Sequence, residues 1–322
     1  MSSLMRLLFI MDPPERIDID RDTTFAMMLE AQERGWEVAH TRREWVWHRQ
    51  GRSFCRWHKA GMKRTAAPDH IVLGEGREGP LEEHDAILVR TDPPFNLEYV
   101  KLTWLLDTVD RSRTFIMNEP GGIRAASEKL YTLRFPDLTP PQMVTRDMRR
   151  LEAFLEEMGG RIVVKPIDWM GGYGVFVVDR EDGNRKAILE VSTRKGRDLV
   201  VAQAYLPEAR LGDKRIILLD GDPIGAFLRV PAPGEHRGNI GVGAGARKAE
   251  VTGDDLRICR AIAPSLRADG LYFAGIDIIA GKLTEVNVTS PTGVQEIGRL
   301  DGACLEAKVM DFVASKVPSG GR

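Results

Sequence analysis

The stretch KPIDWMGGYGVF (165–176) decides how the chain is read. Lys165 closes the apolar run RIVV, Pro166 breaks it, and Gly171, Gly172 and Gly174 follow. A lysine at the end of a strand with buried flanks must meet an anion or carry its charge out to water. The glycines permit positive φ and let backbone N–H groups approach a phosphate closely. The spacing is not G-x-x-x-x-G-K-[ST], so the stretch is not a P-loop. Two readings stand on these residues alone: a polyphosphate loop, or a plain glycine-rich hairpin.

Downstream, IDIIAGKLTEVNVTSPT (276–292) reads as a hairpin. With a three-residue turn at Ala280-Gly281-Lys282, Ile279 pairs with Leu283 and Asp277 faces Glu285. Asn287 then shares their face. Two carboxylates and an amide among isoleucines and valines repel one another unless a cation intervenes. A hard divalent cation with oxygen ligands, Mg²⁺ above all, resolves that crowding. The other reading is a solvated face in a different register.

Between these stretches, VVAQAYLPEARLGDKRI (200–216) leaves a buried strand at Gln203-Ala204-Tyr205-Leu206 and breaks at Pro207. Such a segment offers backbone N–H and C=O to an adenine edge, with Asp213, Lys214 and Arg215 available for ribose or phosphate. It also reads as plain structure. RVPAPGEHRGNIGVGAGARK (229–248) has too few large apolar residues to pack a core, so it is a binding loop or a disordered one. Arg229, Arg237 and Arg247 would bring positive charge to an anionic substrate.

The N-terminal third alternates strand and helix. Runs at 5–11, WEVAH, DAILVR (85–90) and TFIMN (114–118) read as parallel strands, with helices over 22–35 and 97–109. MDPPE (11–15) and TDPPF (91–95) echo each other at strand ends, where ligands of open α/β sheets sit. Asp12 and Asp92 are therefore candidates for substrate contact, with two ordinary turns as the alternative. Residues 48–80 are basic and irregular, a hairpin or loop excursion whose basic run reads as a solvated surface, given the neutral whole, with a nucleic-acid patch as the alternative. From about 136 onward β-rich segments with hairpin punctuation indicate α+β structure.

A net charge of −1 lacks the basic footprint of a nucleic-acid or membrane-surface binder. No apolar run is long enough to span a bilayer, and MSSLMRLLFIMDPPE reads as a first strand rather than a signal peptide. Cys55, Cys259 and Cys304 show no metal or redox spacing, which suits a reduced cytoplasm. Of the six histidines, only His236 lies near a candidate site; the others read as surface residues. H-E-x-x-H, G-x-S-x-G and a nucleophile with a paired base are all lacking.

In their order and spacing, MDP, DTTFAMMLEAQERG, RTDPPF, NEP, EKLYTLRFPDLTP, KPIDWMGG, AQAYLP, GDKRIILLDG, RGN, GIDII and LTEVNVTSPTGVQEI resemble the bacterial glutathione synthetases of the ATP-grasp superfamily. The likeness runs from about residue 5 to residue 315. It implies an α/β fold: a Rossmann-like parallel-sheet domain at 1–124, then a two-lobed α+β ATP-grasp domain at 125–316 and a tail at 317–322. The small lobe would cover about 142–203 and a lid loop about 230–247.

By the same resemblance, Lys129 and Lys165 contact ATP phosphates under a loop of Gly171 and Gly172. Gln203, Ala204, Tyr205 and Leu206 line the adenine site, with Asp213 near the ribose. Asp277, Glu285 and Asn287 hold Mg²⁺, or Mn²⁺. Arg215 and the lid, with Arg237 and Asn239, face the reacting groups, and Arg229, Arg247, Ser290, Pro291 and Thr292 lie towards the substrate. The implied reaction joins γ-L-glutamyl-L-cysteine to glycine through an acyl phosphate, in a cytoplasmic homo-oligomer, a tetramer by family likeness. Two departures stand out: Trp169 where the family usually has glycine, and Asn239-Ile240-Gly241-Val242-Gly243-Ala244-Gly245 in place of the usual lid pattern. Alternatives are another ATP-grasp carboxylate–amine ligase and a nucleotide-binding protein without catalysis.

Overall fold

The computed structural model describes residues 4–65, 68–232 and 243–318. Its first sheet grows from RLLFIM. This run forms β1 (Arg6–Met11), buried along almost its whole length, as a strand covered on both faces must be. Helix α1 (Thr23–Glu33) follows, capped by Asp22, whose Oδ1 accepts from the Phe25 backbone N–H at 2.6 Å. The chain continues through β2 (Glu37–Thr41), β3 (Val46–Arg49), β4 (Arg52–Met62), β5 (Ile71–Pro80) and β6 (Ala86–Arg90). Helix α2 (Leu97–Leu106) precedes β7 (Phe115–Met117), and α3 (Pro120–Ala125) leaves the sheet. Strand order is β3-β4-β2-β1-β6-β7, with β5 paired to β4. β1, β2, β6 and β7 are parallel, as the alternation of elements predicts.

The basic segment near 48–80 differs from its reading as irregular. β4 and β5 form a long antiparallel ladder that extends the sheet. Ser53, Cys55 and Trp57 are buried on one face, Cys55 and Trp57 in one core cluster, while Ala60 and Met62 on the alternate positions are buried in the other. The histidines need a parallel correction. His40, His70 and His84 are buried, not surface residues: His40 packs on Trp45, His84 on Trp57, and His70 on Phe25 with its Nε2 2.8 Å from the Pro14 carbonyl.

A second, antiparallel sheet takes β8 (Gln142–Thr145), β9 (Arg161–Pro166), β10 (Phe176–Asp179) and β11 (Val200–Ala204) in the order β10-β9-β11-β8. Helices α4 (Met148–Glu157) and α5 (Arg185–Ser192) cover it. Its core of Leu151, Phe154, Ile162, Val164, Val200 and their neighbours is a cluster of its own. The third sheet comprises β12 (Asp213–Leu219), β13 (Asp222–Val230), β14 (Gly245–Lys248), β15 (Phe273–Ile279) and β16 (Lys282–Asn287), ordered β14-β13-β12-β15-β16. Helices α6 (Gly253–Ala268), α7 (Val294–Asp301) and α8 (Leu305–Lys316) complete the described chain.

The first and third sheets share their apolar cores. Asn118, just beyond β7, joins them directly. Its Nδ2 donates to the carbonyls of Phe273 and Val288 at 2.8 Å, and its Oδ1 accepts from the Phe273 N–H at 2.8 Å. Among the described residues, no helix is long and apolar enough to cross a membrane.

Candidate functional site

Two clefts meet where the three sheets converge. The first lies between the second and third sheets and is lined by Lys129, Lys165, the 169–172 loop, the end of β11 and the β15–β16 hairpin. The second opens at the carboxyl ends of β1 and β6 and continues to 289–293. Glu128, Met170, Gly171, Arg229 and Asn287 line both, so they mark the junction.

The β15–β16 hairpin reaches the expected pairing by a different route. Its turn has two residues, Ala280 and Gly281 at φ 48° and 71°, so Ile279 pairs with Lys282 and Ile278 with Leu283. A bulge then inserts Thr284, whose hydroxyl donates to the Asp277 carbonyl at 3.1 Å. The extra residue restores Asp277 opposite Glu285.

Asp277 is 3% exposed, and the cations beside it are protein side chains. Arg215 donates to both its carboxylate oxygens, the longer bond being 3.0 Å. Arg229 Nη2 lies 2.9 Å from Oδ2, and Asn287 Nδ2 donates to the same oxygen at 3.3 Å. Arg229 also donates through Nε to Asp213. Burial alone would raise the Asp277 carboxyl, but Arg215 and Arg229 outweigh it and hold it well below the usual carboxylate range. Burial likewise works against the charge on Arg229, and Asp277 and Asp213 together more than restore it. The Asp213 carboxyl is pushed up by burial despite Arg229.

Lys165 leaves β9 and donates to Gln203 Oε1 at 2.7 Å, while Gln203 Nε2 donates to Gln142 Oε1 at 3.1 Å. Burial lowers the Lys165 ammonium; Glu285 opposes this and Lys129 adds to it. Lys129 donates to the carbonyl of Trp169 and, at 3.5 Å, to that of Ile167, and lies 3.5 Å from Glu285 Oε1. It therefore ties the start of the glycine loop to the hairpin. Gly171, Gly172 and Gly174 all have φ between 65° and 78°, the conformation their lack of Cβ permits. This loop shape and the paired lysines are suited to an anionic ligand.

In the second cleft, the Asp92 N–H donates to Asp12 Oδ2 at 2.7 Å, joining the two echoing strand ends. Buried Arg90 donates to Thr24 Oγ1 and to the Pro291 carbonyl, each at 3.0 Å. Arg215 Nη1 donates to the Thr292 carbonyl at 3.2 Å. Burial pushes the Asp22 carboxyl that caps α1 up to about 6, against the opposing Phe25 N–H bond and Arg90 charge and with help from Asp92.

A family model described as prokaryotic glutathione synthetase, N-terminal domain, matches residues 5–124, and one described as the ATP-grasp domain of the same proteins matches 128–302. The chain belongs to the prokaryotic glutathione synthetase family. It is 41% identical over 314 residues to the glutathione synthetase of Synechocystis sp., covering 95% of this chain and 98% of that protein. It is 43% identical over 316 residues to that of Gloeobacter violaceus, covering 96% of each. Among solved structures, D-cycloserine synthetase DcsG aligns at a TM-score of 0.67 and 15% identity, over 96% of this chain and 99% of that one. The ATP-grasp ligase PsnB, complexed with precursor peptide and AMPPNP, aligns at 0.62 and 15% identity, over 98% and 99%. These two likenesses establish the ATP-grasp fold.

Set against that family fold, most residues singled out by sequence converge. Lys129, Lys165, Gly171, Gly172, Gln203, Ala204, Tyr205, Leu206, Asp213, Asp277, Glu285 and Asn287 line the first cleft. Asp12, Asp92, Arg215, Ser290, Pro291 and Thr292 line the second, and Arg229 lines both. Arg247 lines neither and sits exposed on β14. Arg237 and Asn239 lie outside the described residues. Sequence reasoning passed over Glu128. Its Oε1 accepts from the Val288 N–H at 3.2 Å and the Thr289 hydroxyl at 2.8 Å, and burial, then Glu285, raises its carboxyl. Its signal was its place in SEKL beside Lys129.

Proposed function

We propose that this chain joins γ-L-glutamyl-L-cysteine to glycine with ATP, forming glutathione, ADP and phosphate through an acyl phosphate. The observation that carries this reading is the junction of a lysine- and glycine-lined cleft with a second, charge-lined one. ATP occupies the first cleft: Lys129, Lys165, Gly171 and Gly172 at its phosphates, Gln203 to Leu206 at its adenine, Asp213 at its ribose. The dipeptide occupies the second, against Asp12, Asp92, Ser290, Pro291 and Thr292, with Arg215 and Arg229 facing the reacting carboxylate. Arg237 and Asn239 belong to the substrate side in this proposal; Arg247, which lines neither cleft, is left out of it.

The ligand chemistry of the hairpin supports a hard divalent cation, since its donors are all oxygens. Among the described residues, no cluster of three or more His, Cys, Asp or Glu side chains is present; the set is two carboxylates and one amide. Glu285 and Asn287 face the first cleft, and Asn287 uses its amide nitrogen as a donor, which leaves its carbonyl oxygen as a ligand. Asp277 completes the set, although arginines engage it here. The ion, Mg²⁺ with Mn²⁺ as a substitute, supplies charge neutralisation at the transferring phosphoryl group. The chain's own part is to orient the two substrates and shield them, and no protein nucleophile is required.

Division at 124/125 into an N-terminal domain and an ATP-grasp domain, a tetrameric assembly and a cytoplasmic location complete the proposal. ADP release by the purified protein with ATP and Mg²⁺ tests it, across a panel of dipeptides and amino-acid acceptors. ADP formation that needs both γ-glutamylcysteine and glycine is expected; activity with another pair alone moves the substrate assignment. Glu285→Ala should abolish turnover with the fold intact by circular dichroism, and full turnover in that variant would sink the metal assignment.

A further inference from the structure

Five residues line both clefts: Glu128, Met170, Gly171, Arg229 and Asn287. Met170 is the one among them with an apolar side chain. The other polar groups would draw water to the place where the acyl group must pass from phosphate to amine. Beside Met170, Trp169 lines the nucleotide cleft. Both side chains project freely: Trp169 is 59% exposed and Met170 41%, and neither belongs to a core cluster of the described residues. The backbone at this point is held, because Lys129 binds the carbonyls of Trp169 and Ile167. A loop that serves phosphate only through backbone N–H groups gains nothing from a bulky thioether and an indole at its tip.

Resting on the reading above, we propose that Met170, backed by Trp169, is an apolar shield that keeps water from the acyl phosphate at the junction. Two outcomes compete for the acyl phosphate. In ligation, the glycine nitrogen attacks the acyl carbon, the carbon–oxygen bond to phosphate breaks, phosphate leaves with the electron pair, and the amine releases a proton. In leakage, a water oxygen replaces the amine, and the products are the free carboxylate, phosphate and a proton, with ATP spent for no peptide bond. Removing the shield raises the share of the second outcome.

The test is the ratio of ADP to glutathione formed by the full chain with γ-glutamylcysteine and glycine, and ADP formed when glycine is omitted. The ratio should be near one in the parent chain. Met170→Ala should raise it about two-fold or more, Met170→Ala with Trp169→Gly further, and Met170→Leu should restore it. KM for ATP should change less than about three-fold. A ratio fixed near one while total rate falls would overturn the shield and make the loop a positioning element. A change confined to KM for ATP would overturn it in favour of a nucleotide contact. Failure of the parent chain to need both substrates would instead break the functional reading, so the two failures are separable.

Discussion

On the floor of the first cleft, Asp277 is buried and engages Arg215, Arg229 and Asn287. On its cover, Trp169, Met170 and Tyr173 stand largely exposed between glycines at positive φ. The floor places charge inside the protein, and each buried charge there is answered by another on a neighbouring strand. That arrangement tolerates no displacement, because a lost partner leaves an uncompensated ion. The cover holds little buried side-chain area, and its shape depends on backbone conformations open mainly to glycine. A ligase needs both: fixed charges where phosphate transfers, and a segment that can admit and release ligands.

Substitutions should separate the two by size of effect. Asp277→Ala strands buried Arg215, leaves Arg229 with Asp213 alone, and should cost about 3–5 kcal/mol in urea unfolding. A cost below about 1 kcal/mol would mean that the floor is solvated and the comparison fails. The same carboxylate should shape acid stability. It lies below its ordinary 3.8 when folded, since Arg215 and Arg229 outweigh burial. Its contribution is therefore complete above about pH 4 and is lost as pH falls towards its folded value. Asp277→Asn should flatten the acid limb of a stability–pH curve, and an unaltered limb would show that other carboxylates dominate it.

On the cover, Gly174→Ala forces a side chain into φ 68° and sets a Cβ 2.8 Å from Pro166 Cγ. About 1–2 kcal/mol should be lost, by thermal unfolding with and without ATP. No loss would show that the loop adopts other conformations without cost. Smallest of all, Trp169→Gly should move global stability by no more than about 0.5 kcal/mol in either direction. A larger loss would place the indole in packing after all.

Much of this contrast was legible in the sequence, for identifiable reasons. The parallel strands announced themselves because strands buried on both faces are continuously apolar. Crowding of Asp277, Glu285 and Asn287 was legible through the period of a strand, yet the turn assumed there was one residue too long and the bulge at Thr284 was not foreseen. The two errors cancelled. The arginines beside Asp277 were not legible as its partners, since Arg215 and Arg229 lie on β12 and β13 and only sheet order brings them to β15. The β4–β5 ladder was hidden by basic residues on its solvent face, although Ser53, Cys55 and Trp57 alternate beneath them. His40 looked exposed for a related reason: the Trp45 ring that packs on it comes later in the chain.

Asn118 has a mechanical consequence. Its three bonds to Phe273 and Val288 weld the first and third sheets into one stiff chassis, already continuous through shared apolar cores. The second sheet, with an apolar cluster of its own, is a plate mounted on that chassis. Tilting the plate would dismantle none of the three cores; it would strain polar ties such as those of Lys129 to the glycine loop and hairpin and of Thr132 to Gln142.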